Sequence, residues 1–186
     1  MKSSALCPCR VSPTLAFLKT PITYSDCCQP YHDDIDVADG TKAGNAERLM
    51  RTRYSAFVLL KPEYIVKTTL PAQQSLLNIN EIEKWAKETP WAGLEIVEHT
   101  PKLGKRHAQV EFKAYYHELN HLEDIVKENL QAHHERSTFV KVKDKASNNE
   151  CWYFLDPTVE TTVSQKQPCI CGSGEKFKRC CGRYLP

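Results

Sequence analysis

Apolar residues recur at helical spacing between positions 45 and 60 and at alternate positions after 107, with the change of texture near Trp91. Leu49, Met50, Tyr54, Phe57 and Val58 lie on one helical face, and Asn45 before them suits an N-cap, so the pattern predicts a helix from 45 to about 60. Pro62 stops that helix and fits the first turn of a short second one over 63–69, which Pro71 closes. Asn80 with Glu83 resembles a capping box for a third helix over 81–88, ended by Pro90. Strands follow. Residues 94–99 form a short one, and 107–117 alternate, with Val110, Phe112 and Ala114 opposite Glu111 and Lys113. Residues 120–131 break the alternation and read as a long hairpin loop or a short helical insertion. Val140 and Val142 then alternate with Lys141 and Lys143, and 151–155 is apolar on both faces, as in a covered strand. Helices followed by antiparallel strands make an α+β layout.

Residues 33–44 are polar and rich in turn formers and read as a linker. They separate an N-terminal segment, 1–31, from a core over 45–160, and a further segment, 165–186, closes the chain. With 186 residues, 41% of them apolar, there is room for one core and small appendages. The net charge of +2 excludes a strongly basic nucleic-acid binder on overall charge alone. The charge is uneven, however: residues 165–186 carry Lys166, Lys176, Lys178, Arg179 and Arg183 against Glu175. No stretch approaches the roughly 18 consecutive apolar residues of a membrane span, and the first residues lack the apolar run of a secretory signal. The expectation is a cytoplasmic protein, where cysteines stay reduced and gather for metal more readily than for disulfides.

That expectation matters because eight of the nine cysteines fall into two sets of four. Cys7-Pro-Cys9 pairs with Cys27-Cys28, and Cys169-Ile-Cys171 pairs with Cys180-Cys181. Four thiols are what a closed tetrahedral zinc site requires. Gly172-Ser173-Gly174 lets the C-terminal set turn back on itself. The N-terminal set is looser, with seventeen residues between Cys9 and Cys27 against eight between Cys171 and Cys180. It reads as a second zinc site, as a segment packed through Leu15, Phe17 and Leu18, or as a set sharing ligands with the other end. Each zinc held by four thiolates carries a net charge of about −2. The basic residues near 166–183 are therefore either counter-charge or a surface for an anionic partner, protein or RNA. Cys151 reads as a packed core thiol. His107, His117, His121 and His133 are too scattered to suggest another metal site.

The C-terminal stretch Cys169-Ile-Cys171-Gly172-Ser173-Gly174-Glu175-Lys176-Phe177-Lys178-Arg179-Cys180-Cys181-Gly182 resembles the SEC-C motif, named from the C-terminus of the SecA translocation ATPase. The resemblance implies one zinc, with ligand positions falling on Cys169, Cys171, Cys180 and Cys181. Tyr24-Ser25-Asp26-Cys27-Cys28 and Pro30-Tyr31 fit the second half of such a motif, although Arg10 and Gln29 stand where glycine is usual. Residues 48–58, 94–97 and His134-Glu135-Arg136-Ser137 with Phe139 are similar to the bacterial YchJ-like family. That likeness implies a cone resembling nuclear transport factor two, a curved antiparallel sheet with helices in its concavity. Two departures stand out: Thr69-Leu70-Pro71 replaces a Trp-His-Pro stretch, and 120–130 lengthens a strand connection.

A cone has an inside. Running the Val140–Val142 alternation backwards places His134, Arg136 and Thr138 on its inner face, which makes His134 and Arg136 candidate pocket residues. A buried histidine beside a carboxylate can act as a general base. A His-Glu-Arg-Ser stretch equally serves as a structural ion-pair network. No glycine-rich phosphate loop or nucleophile elbow occurs, so no catalytic residues are assigned. The sequence thus points to a zinc-binding, non-catalytic adaptor whose modules meet a protein partner. By the SecA resemblance that partner is a chaperone, the export machinery or the ribosome, with RNA as a further candidate. The alternative is an enzyme or small-ligand binder using the cone pocket, with zinc purely structural.

Overall fold

The structure is a computed structural model that describes residues 5–14, 21–37, 40–122, 125–143, 149–160 and 162–185, with only the backbone for 119–122 and 125–128. Among the described residues, five α-helices precede four strands. They are α1 (Gln29–Asp33), α2 (Ala46–Val58), α3 (Pro62–Lys67), α4 (Pro71–Gln74) and α5 (Ile79–Glu88), then β1 (Trp91–Leu103), β2 (His107–Leu122), β3 (Ile125–Lys143) and β4 (Glu150–Leu155). The strands form one antiparallel sheet in the order β1-β2-β3-β4. Three register shifts along the β1–β2 pairing bend the sheet, as bulges do. The α+β cone read from the sequence is thereby confirmed.

α2 is the helix on which the cone closes. The Asn45 side chain accepts a hydrogen bond from the Arg48 amide at 2.7 Å, the cap expected there. Leu49, Met50, Tyr54 and Ala56 are buried along its inner face. Two helix boundaries differ from expectation. Pro71 opens α4 instead of merely ending the second helix, since a proline at the first helical position lacks only an amide that would be unbonded there. α5 is capped by Asn78, which accepts from the amides of Asn80 and Glu81, so it starts earlier than the Asn80–Glu83 box suggested.

Two apolar cores flank the sheet. On the inner face, Leu94, Ala108, Val110, Phe112, Ala114 and Phe139 pack on Leu49, Met50 and Tyr54 of α2. On the outer face, Val140, Leu155 and Leu70 pack under Phe177 and the four C-terminal cysteines. Leu70 reaches that layer because the chain at 68–70 runs beside β4, with Leu70 N donating to Phe154 O at 2.8 Å and Phe154 N to Thr68 O at 2.9 Å. The connection over 120–131 is not a loop: β2 and β3 stay paired out to Leu122 and Ile125. Cys151 is a buried thiol in β4 and is in no disulfide.

Candidate metal centres and cavity

The N-terminal cysteines converge because the chain doubles back. Leu6 and Thr23 form an antiparallel bridge, and Cys7 N donates to Ile22 O at 2.9 Å. That pairing sets Cys7 and Cys9 beside Cys27 and Cys28 at the start of α1, and so absorbs the long intervening segment. Cys9 Sγ lies 3.6 Å from Cys7, Cys27 and Cys28 Sγ. All four residues are essentially buried. Leu15, Phe17 and Leu18 lie outside the described residues.

α2 grips this module through three polar residues at helical spacing. Ser55 Oγ accepts from Cys9 N at 3.2 Å and sits 3.6 Å from Cys7 Sγ. Arg48 donates to Cys27 Sγ at 3.4 Å and to Cys27 O at 2.9 Å. Arg51 donates to Cys9 O at 3.2 Å. None of the three was singled out from the sequence as a site residue. The signal was there: positions 48, 51 and 55 share a polar stripe beside the apolar face of one helix.

The C-terminal cysteines gather around the expected turn. Gly172 and Gly174 both adopt positive φ, +73° and +78°, a conformation glycine alone takes without strain. Cys171 Sγ lies 3.5 Å from Cys169 Sγ and from Cys180 Sγ. The four sulfurs of each set lie within 4.8 Å of one another, so neither site borrows a ligand from the other. Of the four scattered histidines, the side chain of His121 is not described and His117 and His133 lie elsewhere. His107, however, reaches from β2 to within 3.4 Å of Cys181 Sγ and stacks under Tyr184. Burial depresses its pKa, favouring the neutral ring whose N–H can donate to sulfur.

Both donor sets fit zinc. Bonds of about 2.3 Å place tetrahedral sulfurs roughly 3.8 Å apart, close to the spacing seen. None of the nine cysteines is in a disulfide. Crowding splits their acidity: hydrogen bonding between Cys27 and Cys28 pushes the former down and the latter up, and Cys169 does the same to Cys171 and Cys181. A divalent cation resolves that conflict by favouring the thiolate at every position.

The concavity holds a cavity of about 670 Å³ between α2, α5, the inner face of β3 and residues 156–160. Its apolar wall includes Phe57, Trp85, Trp91 and Phe154, with Phe57–Trp85 and Trp85–Trp91 ring centroids 4.9 and 5.2 Å apart. His134 and Arg136 do not line it. Both stand on the outer face, paired with Glu111, and Arg136 also reaches Glu98 at 3.1 Å. Val140 and Val142 face the C-terminal module and Phe139 marks the inner side, so the alternation through the valines runs along the outer face. The polar row in the cavity is therefore His133, Glu135 and Ser137.

Glu135 is the centre of that row. His133 Nε2 donates to one carboxylate oxygen at 2.9 Å, and the Ser137 hydroxyl donates to the other. Burial opposes ionisation of Glu135, but those two hydrogen bonds outweigh it and hold its pKa below the usual carboxylate range. With the carboxylate between them, His133 cannot take the Ser137 proton, so this is not a nucleophile–base–orienter relay. Opposite sits Arg53, whose guanidinium lies 4.4 Å over the Phe154 ring. Its Nη1 donates to Ile65 O, Thr68 Oγ1 and Thr69 Oγ1 at 2.8, 2.8 and 3.2 Å. Burial lowers its pKa to about 10, leaving it charged near neutrality.

A family model described as the YchJ middle NTF2-like domain matches residues 45–157, and one for the YchJ-family N-terminal zinc binding domain matches 2–35. The chain belongs to the YchJ family. The SEC-C motif matches 166–183 of this YchJ-family chain. It is 42% identical over 182 residues to a UPF0225 protein of Actinobacillus succinogenes, covering 98% of this chain and 99% of that one. It is 44% identical over 179 residues to a UPF0225 protein of Haemophilus influenzae strain PittGG, covering 96% and 93%. A crystal structure of a SEC-C motif containing protein from Psychrobacter arcticus superposes with a TM-score of 0.89 at 66% identity, covering 98% of both chains. A solution structure of a SEC-C motif containing protein from Rhodopseudomonas palustris gives 0.54 at 30% identity, covering 74% of this chain and 92% of that one. Zinc is thus the metal at both ends of this YchJ-family protein. Among the described residues, no helix is long and apolar enough to cross a membrane.

Proposed function

We propose that this protein is a cytoplasmic small-ligand binder in which two structural zinc modules brace a cone-shaped core. Cys7, Cys9, Cys27 and Cys28 hold one zinc, and Cys169, Cys171, Cys180 and Cys181 the other. The units are the modules 1–31 and 165–186 and the core 45–160. The observation that carries the reading is the polar row and the lone arginine inside an aromatic-walled cavity of about 670 Å³, within the usual size of ligand sites. The way α2 and His107 hold the cysteine clusters supports a bracing role for zinc. The test is a titration of the zinc-loaded full chain with a library of small organic fragments, followed by backbone and indole amide NMR. Binding should shift the Trp85 and Trp91 indole signals first. Shifts confined to residues 166–183, or none at all, would overturn the reading.

One observation favours the adaptor reading as a second: Lys166, Lys176, Lys178, Arg179 and Arg183 are all exposed around the C-terminal cluster. In that case the module docks an acidic surface, a protein of the chaperone, export or ribosome class or an RNA. Reversing Lys176 and Lys178 to glutamate would then abolish capture of the partner while leaving zinc content unchanged.

A further inference from the structure

Arg53 carries an unmet need. It lines the cavity, is only 6% exposed, and has no carboxylate within ion-pair distance among the described residues. All its hydrogen bonds run through Nη1, to a carbonyl and two threonine hydroxyls. The donors on Nε and Nη2 have no partner among the described residues. A buried cation without a direct ion pair is costly even with Asp156 and Glu135 near enough to favour its charge, and a guanidinium edge with two free donors matches a carboxylate in bidentate geometry. Two of the acidic groups that line the cavity are engaged elsewhere. Glu135 accepts from His133 and Ser137, and Asp156 Oδ1 accepts from the amide and hydroxyl of Thr158. Neither of these two carboxylates forms an ion pair with Arg53.

We propose that the cavity binds a small organic monocarboxylate with an aromatic body, held by Arg53 at one end and by Phe57, Trp85 and Trp91 along its length. This rests on the reading of the cavity as a ligand site. Glu81, Glu135, Asp156 and Glu160 all line the same space and disfavour a second negative charge, so phosphate esters and dicarboxylates are rejected.

The test compares 3-phenylpropanoate with its neutral amide and with 3-phenylpropylamine, by calorimetry on the zinc-loaded full chain. The carboxylate should bind at least about tenfold tighter than the amide, as a charge-assisted pair requires. Arg53→Gln should erase that preference. Because Arg53 is buried and its loss could unfold the protein, Trp85→Ala at the half-exposed mouth is the second variant. It should weaken the carboxylate several-fold while leaving thermal stability and zinc content intact. An amide or amine that binds as tightly as the carboxylate overturns the ligand class but leaves the pocket standing. No binding of any of the three at about 10 mM, beyond the weakest useful affinity, overturns both. Unaltered affinity in Trp85→Ala overturns the placement.

Discussion

His107 ties the sheet to the C-terminal zinc site through a single side chain, with its Nε2 3.4 Å from Cys181 Sγ. A hydrogen bond to a ligating sulfur orients the ligand and eases its charge, and losing such a contact typically costs ten- to a hundred-fold in metal affinity. His107→Ala should therefore release the C-terminal zinc to a chelator about tenfold faster and leave the N-terminal zinc untouched. Equal release from wild type and variant would show that the contact is incidental. In the cavity, the hydrogen bond to Glu135 raises the pKa of His133 above its ordinary value. The sign follows from linkage: this pair stabilises the fold fully below the unfolded histidine pKa, and the contribution fades as pH rises through the raised one. An NMR titration should place the His133 midpoint above 6.5 and show it falling in Glu135→Gln. A midpoint unmoved by that substitution would remove the pair from the account. Phe139 is fully buried at the centre of the inner core, so Phe139→Ala should cost about 3–5 kcal/mol in chemical denaturation, against under 1 for a surface change.

The elements show why some of this was legible in the sequence and some was not. α2 announced itself through its apolar period and its Asn45 cap, both local properties. Strand faces were harder, because near 137–140 β3 is buried on both sides, and alternation then no longer names the core side. Val140 looked like the core because it is; the core it joins lies under the C-terminal module, which no local pattern reveals. The long β2–β3 ribbon was missed for a related reason, since cross-strand pairing, not composition, sets its length. The cysteine spacings pointed to both metal clusters and the polar stripe of α2 to Ser55, while His107 needed tertiary contact to be recognised. If the C-terminal module seals the outer face, a Cys180→Ser, Cys181→Ser chain should lose one zinc. Its amides over 138–142 and 151–155 should then exchange faster with solvent, and those of α2 should not. Unchanged exchange in β4 would mean that the module rests on the sheet without holding it.

At the scale of the whole molecule, each of the two apolar cores carries a metal cluster: the N-terminal one against α2, the C-terminal one against the outer face of the sheet. Zinc binds the folded clusters far better than the unfolded chain, so its binding energy adds to fold stability. The two clusters use separate sulfurs and separate supports, which makes them independent contributors. The most direct test is zinc content per chain on protein purified without chelator, for wild type and for a Cys7→Ser, Cys9→Ser chain. Two zincs falling to one, with the remaining one still held by the C-terminal set, is the predicted result. One zinc in wild type, or loss of both in the variant, would contradict two separately braced sites.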